Sequence, residues 1–299
     1  LSLNRDDNSF TVNLESGAKI EADHVVLALG NFPPGDIFSE GNTLNNDKRY
    51  FANPWTDMIY SRIEGSENIL LVGTGLTAVD VVLGLHLRKF SGKITMFSRR
   101  GRLPLPHDLT HPPVELKYPG KLSPQECFSW IKKEIKSRPE IPWTSVIDGI
   151  RPHTQNIWLS WNDSEKTFFL KRLRQYWEIA RHRIPPASYI TLEKMLAEGK
   201  LEIGKATIIS GKSLPEGIEI TFSDANKNIK SHVFQEVINC TGPESNFRKV
   251  RFPIIEDLMA KGCVKSDPNG LGIVCTADGR LVNASGNIEN GLWCIGPMR

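Results

Sequence analysis

Residues Gly73-Thr74-Gly75-Leu76-Thr77-Ala78 read G-x-G-x-x-A. That spacing suits the close approach of backbone N–H groups to a phosphate. Gly73 permits a tight turn, Gly75 leaves no side chain in the path of a pyrophosphate, and Ala78 lets a following helix lie against the preceding strand. In such a unit the residue that meets the adenosine ribose stands roughly 20 positions further on, and a carboxylate there holds the 2′-hydroxyl of NAD. This chain has Ser98-Arg99-Arg100, followed by Arg102. Guanidinium groups offer a 2′-phosphate forked, charge-assisted hydrogen bonds, where a carboxylate would repel it. The pair of motifs therefore points to NADPH over NADH, by about ten- to a hundredfold.

The flanking pattern gives the glycine motif its weight. Asn68 to Val72, NILLV, is an apolar run of buried-strand type, and Leu76, Val79, Val82, Leu83 and Leu87 recur at helical spacing behind the turn. Lys93 to Phe97 reads as the next strand, so strand, turn, helix and strand form one parallel unit. From about 103 to 199 the pattern becomes helical, with helices expected at Ser123 to Ser137, Ser164 to His182 and Ser188 to Ala197. This block reads as an insertion. Strands return at Lys200 to Ser210 and Gly217 to Phe222, and Phe252 to Arg299 offers a short helix, Ile254 to Lys261, with several short strands.

Two segments share a plan. Phe10 to Pro34 and Glu219 to Pro243 each run as a solvated hairpin feeding a short apolar strand that ends in glycine, at Gly30 and Gly242, and then proline. The second repeat closes the unit opened at Gly73. The first has no glycine turn before it, so its partner turn is expected ahead of Leu1, in a longer protein with two dinucleotide-binding domains. The linkers are placed at Asn31 to Asp36 and Ala52 to Trp55.

The 299 residues fit about two domains. With 39% hydrophobic and 24% charged residues the composition is globular, and a formal charge of +3 is too small for a protein dominated by nucleic-acid or membrane-surface attraction. Five scattered cysteines without Cys-x-x-Cys give neither a zinc cage nor a dithiol centre and fit a reduced, cytoplasmic protein. No signal-peptide core and no apolar run of about 20 residues is present.

Other residues are weighed against plainer roles. His107 and His111 are four apart, but Pro104, Pro106, Pro112 and Pro113 deny a helix there, so no metal site is expected. In the 164 to 182 segment, Phe169, Leu173, Tyr176, Trp177 and Ala180 share one side, with Lys171, Arg172, Arg174, Arg181 and Arg183 around them. It is read as an amphipathic helix with a solvated face, not a nucleic-acid platform. Cys240 and Cys294 read as small buried hydrophobes, and Asp80 either bonds near the glycine loop or is solvated. Gly-x-Ser-x-Gly is absent, and no catalytic acid or base stands out.

The pieces ALGNFPP (28 to 34), NPW (53 to 55), VGTGLTAVDVV (72 to 82), FSRRGRLP (97 to 104), YWEIARHRIPP (176 to 186), INCTGP (238 to 243) and LWCIGP (292 to 297) occur in one order across nearly the whole chain. In these the sequence resembles the bacterial FAD/NAD(P)-binding protein family, similar in fold to flavin-containing and amine N-hydroxylating monooxygenases and to pyridine-nucleotide flavoprotein reductases. The resemblance implies a flavoprotein in which NADPH reduces FAD. It gives Gly73, Gly75 and Ala78 the NADPH pyrophosphate and Arg99 and Arg100 the 2′-phosphate. Gly30 and Gly242 match the strand ends that link the two domains, and Gly296 matches the segment closing over the flavin. It also implies, as an alternative to the solvated face, an anionic-substrate pocket lined by Arg181, His182 and Arg183.

The resulting expectation is an α/β protein of two nested Rossmann-like domains: an incomplete FAD-binding domain, 1–64 with 243–299, lacking its first glycine turn, and an NADPH-binding domain, 65–242, with a helical insertion at about 103–199. Its function reads as an NADPH-dependent flavoprotein oxidoreductase acting on a small molecule, of monooxygenase type. A flavin reductase without oxygen insertion and a non-catalytic NADP(H)-binding module are the rivals. No nucleic-acid or membrane partner is expected.

Overall fold

The structure, a computed structural model, describes residues 2–5, 9–38, 44, 46–56, 58–63 and 65–299. Strands β1 (Ser2–Arg5), β2 (Phe10–Asn13), β3 (Lys19–Ala22) and β4 (Val25–Leu27) open it. Then come β5 (Tyr50–Phe51), α1 (Met58–Ile63), β6 (Asn68–Val72), α2 (Leu76–Leu87) and β7 (Lys93–Ser98). A helical block follows: α3 (Pro124–Lys136), α4 (Trp143–Ile150), α5 (Thr154–Ser160), α6 (Asp163–Phe168), α7 (Arg174–Arg181) and α8 (Pro186–Ala197). Next are β8 (Leu201–Lys205), β9 (Thr207–Leu214), β10 (Gly217–Ser223), β11 (Ile229–Phe234) and β12 (Glu236–Asn239), and last α9 (Pro253–Ala260), β13 (Arg280–Val282) and β14 (Ile288–Cys294). Among the described residues no helix is long and apolar enough to cross a membrane.

The chain divides into two compact units, Asp36–Gly242 and Leu1–Gly35 with Pro243–Arg299. The break at residue 35 falls within the linker expected at 31 to 36. Residues 36–64, which the sequence reading grouped with the first domain, pack in the larger unit. There β5 pairs in parallel with β12, while Ile59 and Ile63 of α1 are fully buried in its core.

In the larger unit a five-stranded parallel sheet runs β5-β12-β6-β7-β8. The unbroken NILLV run of β6 is explained by cover on both faces. Ile69 and Leu71 pack with α1, α2 and α8, while Leu70 and Val72 pack against the antiparallel sheet β11-β10-β9 through Ile218, Ile220 and Phe234. The helical block has a core of its own, including Val146, Ile147, Ile150, Ile157 and Trp161. Ser123 and Glu126 form a reciprocal capping box with Pro124 in the first turn of α3, which starts that helix where the sequence pattern placed it.

The segment expected as one helix from 164 to 182 is interrupted. Asn162, not Ser164, caps α6 in a box with Glu165, and a π-helical stretch, Phe169–Leu173, separates α6 from α7. Such a stretch shifts the helical register, so residues beyond it leave the face they would occupy on a straight helix. In the smaller unit β4 lies parallel to β14, β14 pairs antiparallel with β13, and β1-β2-β3 form a separate antiparallel sheet. Leu27, Leu281, Leu292, Cys294 and the buried face of α9 (Ile254, Ile255, Leu258) share its core.

Candidate functional site: a glycine turn beside a basic cleft

β6 ends at Val72, and the chain reverses at Gly73 into α2. Gly73 has φ of +123°, and a Cβ there would lie 2.3 Å from the Cys240 carbonyl oxygen at the end of β12, so only glycine fits. Its N–H donates to the Phe97 carbonyl at 2.7 Å, pinning the turn to β7. Gly75 is the N-cap of α2, with no side chain capping it and open space where its Cβ would be. The N–H groups of Leu76, Thr77 and Ala78 thus begin the helix with no intrahelical partner, beside the positive end of its dipole. Leu76 is exposed and Thr77 half-buried, while Ala78 is fully buried in the helix–sheet core, as close packing of α2 on β6 requires.

Thr74 and Ser98 do more than the sequence reading assigned. The Gly101 N–H donates to Ser98 Oγ at 2.9 Å, Ser98 Oγ lies 2.9 Å from Thr74 Oγ1, and Thr74 Oγ1 donates to the Arg102 carbonyl at 2.7 Å. One proton order satisfies all three bonds, with Ser98 donating to Thr74. This chain of bonds ties the arginine loop to the glycine turn. Gly101 has φ of +58°, and a Cβ there would sit 2.8 Å from the Lys205 backbone nitrogen, so the loop presses directly on the end of β8.

The loop borders a cleft of about 420 Å³ lined by Arg99, Arg100, Arg102, Lys205, Gln175, Tyr176 and Ile179. Arg99, Arg100, Arg102 and Lys205 are exposed, and among the described residues none has a carboxylate partner. Four unpaired cations in one cleft repel one another, and a bound anion relieves that repulsion. Sequence reasoning found the arginines because they directly follow β7. It missed Lys205, which arrives through β7–β8 pairing, in register opposite Ser98.

Gly242, with φ of +87° and open space at its Cβ, lies two residues past Cys240, whose N–H donates to the Val72 carbonyl at 2.8 Å; it therefore belongs to the same sheet edge as Gly73. In the smaller unit Gly30 (φ +69°) and Gly296 (φ +92°) follow the paired ends of β4 and β14, where Leu27 stands opposite Cys294 and the Ile295 N–H donates to the Leu27 carbonyl at 3.0 Å. The carboxyl ends of parallel strands are where open α/β sheets take ligands. The described residues of this unit hold no strand–glycine turn–helix like the one at Gly73.

The remaining residues take structural places. Arg183 is 5% exposed and ion-paired with Asp148 of α4, which removes it from any open substrate pocket; burial and neighbouring Arg181 hold the His182 imidazole below its usual pKa. His107 donates its backbone N–H to the Ile184 carbonyl, while His111 turns to Asp108, 3.2 Å away. The Asp80 side chain is exposed and bonds nothing in the turn. Cys240 is buried, and desolvation pushes its thiol pKa far up, as suits a core residue.

No family model and no curated protein matches the sequence. Solved structures do. An ornithine hydroxylase from Pseudomonas aeruginosa in its reduced form aligns with a TM-score of 0.58 at 15% identity, over 99% of this chain and 62% of that one. The ornithine N-hydroxylase of Kutzneria sp. 744, solved with reduced FAD, NADP+ and L-ornithine, aligns at 0.56 and 14%, over 96% and 60%. An engineered water-forming NADPH oxidase bound to NADPH aligns at 0.51 and 13%, over 100% and 45%. The chain thus spans about three fifths of the length of the two hydroxylases. Its fold is that of the Rossmann-type FAD/NAD(P)-binding flavoproteins.

Proposed function

We propose that this chain serves an NADPH-dependent flavoprotein oxidoreductase, of the monooxygenase kind, acting on a small molecule. The observation that carries the reading is the uncapped start of α2 joined by Thr74 and Ser98 to a loop of unpaired arginines. A dinucleotide pyrophosphate would be held by the N–H groups of residues 76 to 78, with Gly73 and Gly75 clearing its path. Its 2′-phosphate would be held by Arg99 and Arg100, supported by Arg102 and Lys205. Gly30 and Gly242 would serve as the strand ends that link the two domains and Gly296 would close over the flavin of FAD, which supplies the hydride acceptor when bound. Oxygen insertion draws its support from the amine hydroxylases among the structural neighbours, whose TM-scores exceed that of the NADPH oxidase.

Calorimetric titration of the purified chain tests the cofactor part: NADPH is expected to bind about ten- to a hundredfold more tightly than NADH. Equal affinities would reject it. In the full-length protein with FAD, hydrogen peroxide released per NADPH oxidised should fall in the presence of a substrate amine as hydroxylated product appears. Peroxide release that no amine changes would favour electron transfer without insertion, and no NADPH oxidation with any acceptor would favour a binding module.

A further inference from the structure

The basic cleft has a second wall that a phosphate alone does not need. It comes from α7, where Tyr176 and Ile179, three residues apart and so on one helical face, stand beside Gln175. Tyr176 is 53% exposed, although its neighbours Phe169, Trp177 and Ala180 pack into the core of the helical block. Tyr176 and Trp177 are consecutive and so point about 100° apart around α7, and the π-helical stretch ahead of α7 shifts Tyr176 off the line it would share with Phe169 on a continuous helix. Phe128 of α3 backs the ring, at 5.9 Å between centroids and tilted by 45°, and the Gln175 amide donates to the Arg172 carbonyl at 3.1 Å. The wall is therefore a braced, uncharged, partly aromatic surface beside the cluster of cations. A volume of about 420 Å³ lies in the range of small-molecule sites rather than of a lone anion.

We infer that Tyr176 is the platform for the adenine of the 2′-phosphorylated dinucleotide, so that the helical insertion, and not the Rossmann unit alone, sets recognition of the cofactor's base. The inference rests on the NADPH reading above. A ligand carrying a flat π-face next to a phosphate satisfies both walls at once, the base on the phenol ring and the phosphate on the cations. Base–aromatic stacking of this kind corresponds to roughly 5- to 100-fold in affinity.

Titration calorimetry of the purified chain with adenosine 2′,5′-bisphosphate and, separately, with inorganic phosphate tests it. Tyr176→Ala is expected to weaken the bisphosphate roughly 5- to 100-fold while leaving phosphate binding unchanged, and Tyr176→Phe and Tyr176→Trp to keep wild-type affinity. The phenylalanine and tryptophan variants separate a stacking platform from a residue that only props up the helix. A Tyr176→Ala protein that binds the bisphosphate as wild type does, while Arg100→Ala loses it, would overturn the platform and leave the NADPH site standing. Wild-type protein that binds neither probe would overturn both.

Discussion

The two units present the same kind of edge and differ in what stands on it. In each, a parallel strand pair ends in glycines with positive φ: Gly73 and Gly242 in one, Gly30 and Gly296 in the other. Among the described residues, only the larger unit follows its strand with a helix whose start is left uncapped, and only there does the next strand deliver unpaired cations to the same edge. The contrast separates two roles for glycine. A positive φ lets a strand end turn beneath a ligand, whereas a glycine jammed against a neighbouring strand fixes where the helix N-terminus points.

Alanine at one glycine of each kind would break the comparison if it is wrong. At Gly73 the new methyl meets a backbone oxygen at 2.3 Å in a conformation L residues avoid, and neither β12 nor β6 can shift without opening the sheet. Gly73→Ala should lower stability by roughly 3 kcal/mol or more and abolish NADPH binding. Gly30→Ala meets nothing within 4 Å and carries only the left-handed penalty of about 1 kcal/mol. Urea unfolding of both variants measures the difference. Equal losses would mean that crowding at Gly73 is not what builds the turn.

The cations provide the next largest effect. Arg99→Ala with Arg100→Ala should weaken NADPH about ten- to a hundredfold and leave NADH unchanged, because NADH has no 2′-phosphate for them to hold. Neutralising Arg5, a cation of the smaller unit engaged with Glu289, should change neither affinity. If NADH weakens as much as NADPH in the double variant, the arginines contribute general positive potential and not recognition of the extra phosphate.

How far these features could be read in advance follows from where their causes lie along the chain. β6 is observed at the residues the apolar run predicts, 68–72, because residues 69–72 are buried on both faces and apolar throughout. The glycine turn and Arg99-Arg100 are contiguous with their strands, so spacing alone locates them. Lys205 and Tyr176 are not: one reaches the cleft through pairing with a strand about a hundred residues earlier, the other from a helix of the insertion whose place beside the arginine loop no sequence spacing encodes. Helices α4 and α5 are short and lie beside Pro142 and Pro152, and β1 buries only Leu3, so their patterns were too brief to register.

The smallest predicted effects compare two carboxyl groups buried in the parallel strands. Glu289 of β14 is 8% exposed, ion-paired with Arg5 and accepting from Asn283 Nδ2 at 2.7 Å. Glu236, the first residue of β12, is 9% exposed, and its Oε2 has no partner among the described residues. Burial pushes the Glu236 pKa up to about 7; the positive field of Arg49 and Arg62 opposes that shift and Asp47 adds to it. The folded protein therefore holds a proton that the unfolded chain has released between the ordinary glutamate value of 4.5 and about 7. Stability must fall as pH rises through that window, with the full loss present above it. Glu236→Gln keeps the shape and removes the ionisation, so it should gain about 2 kcal/mol over wild type at pH 8 and only about a quarter of that at pH 5. Glu289→Gln should instead lose about 1 kcal/mol at pH 8, since it weakens a pair whose arginine is partly solvated. Urea midpoints of the three proteins from pH 5 to 8 decide the matter: parallel curves for wild type and Glu236→Gln would mean that the β12 carboxylate finds compensation on ionising, and that the two strands bury their acids on equal terms.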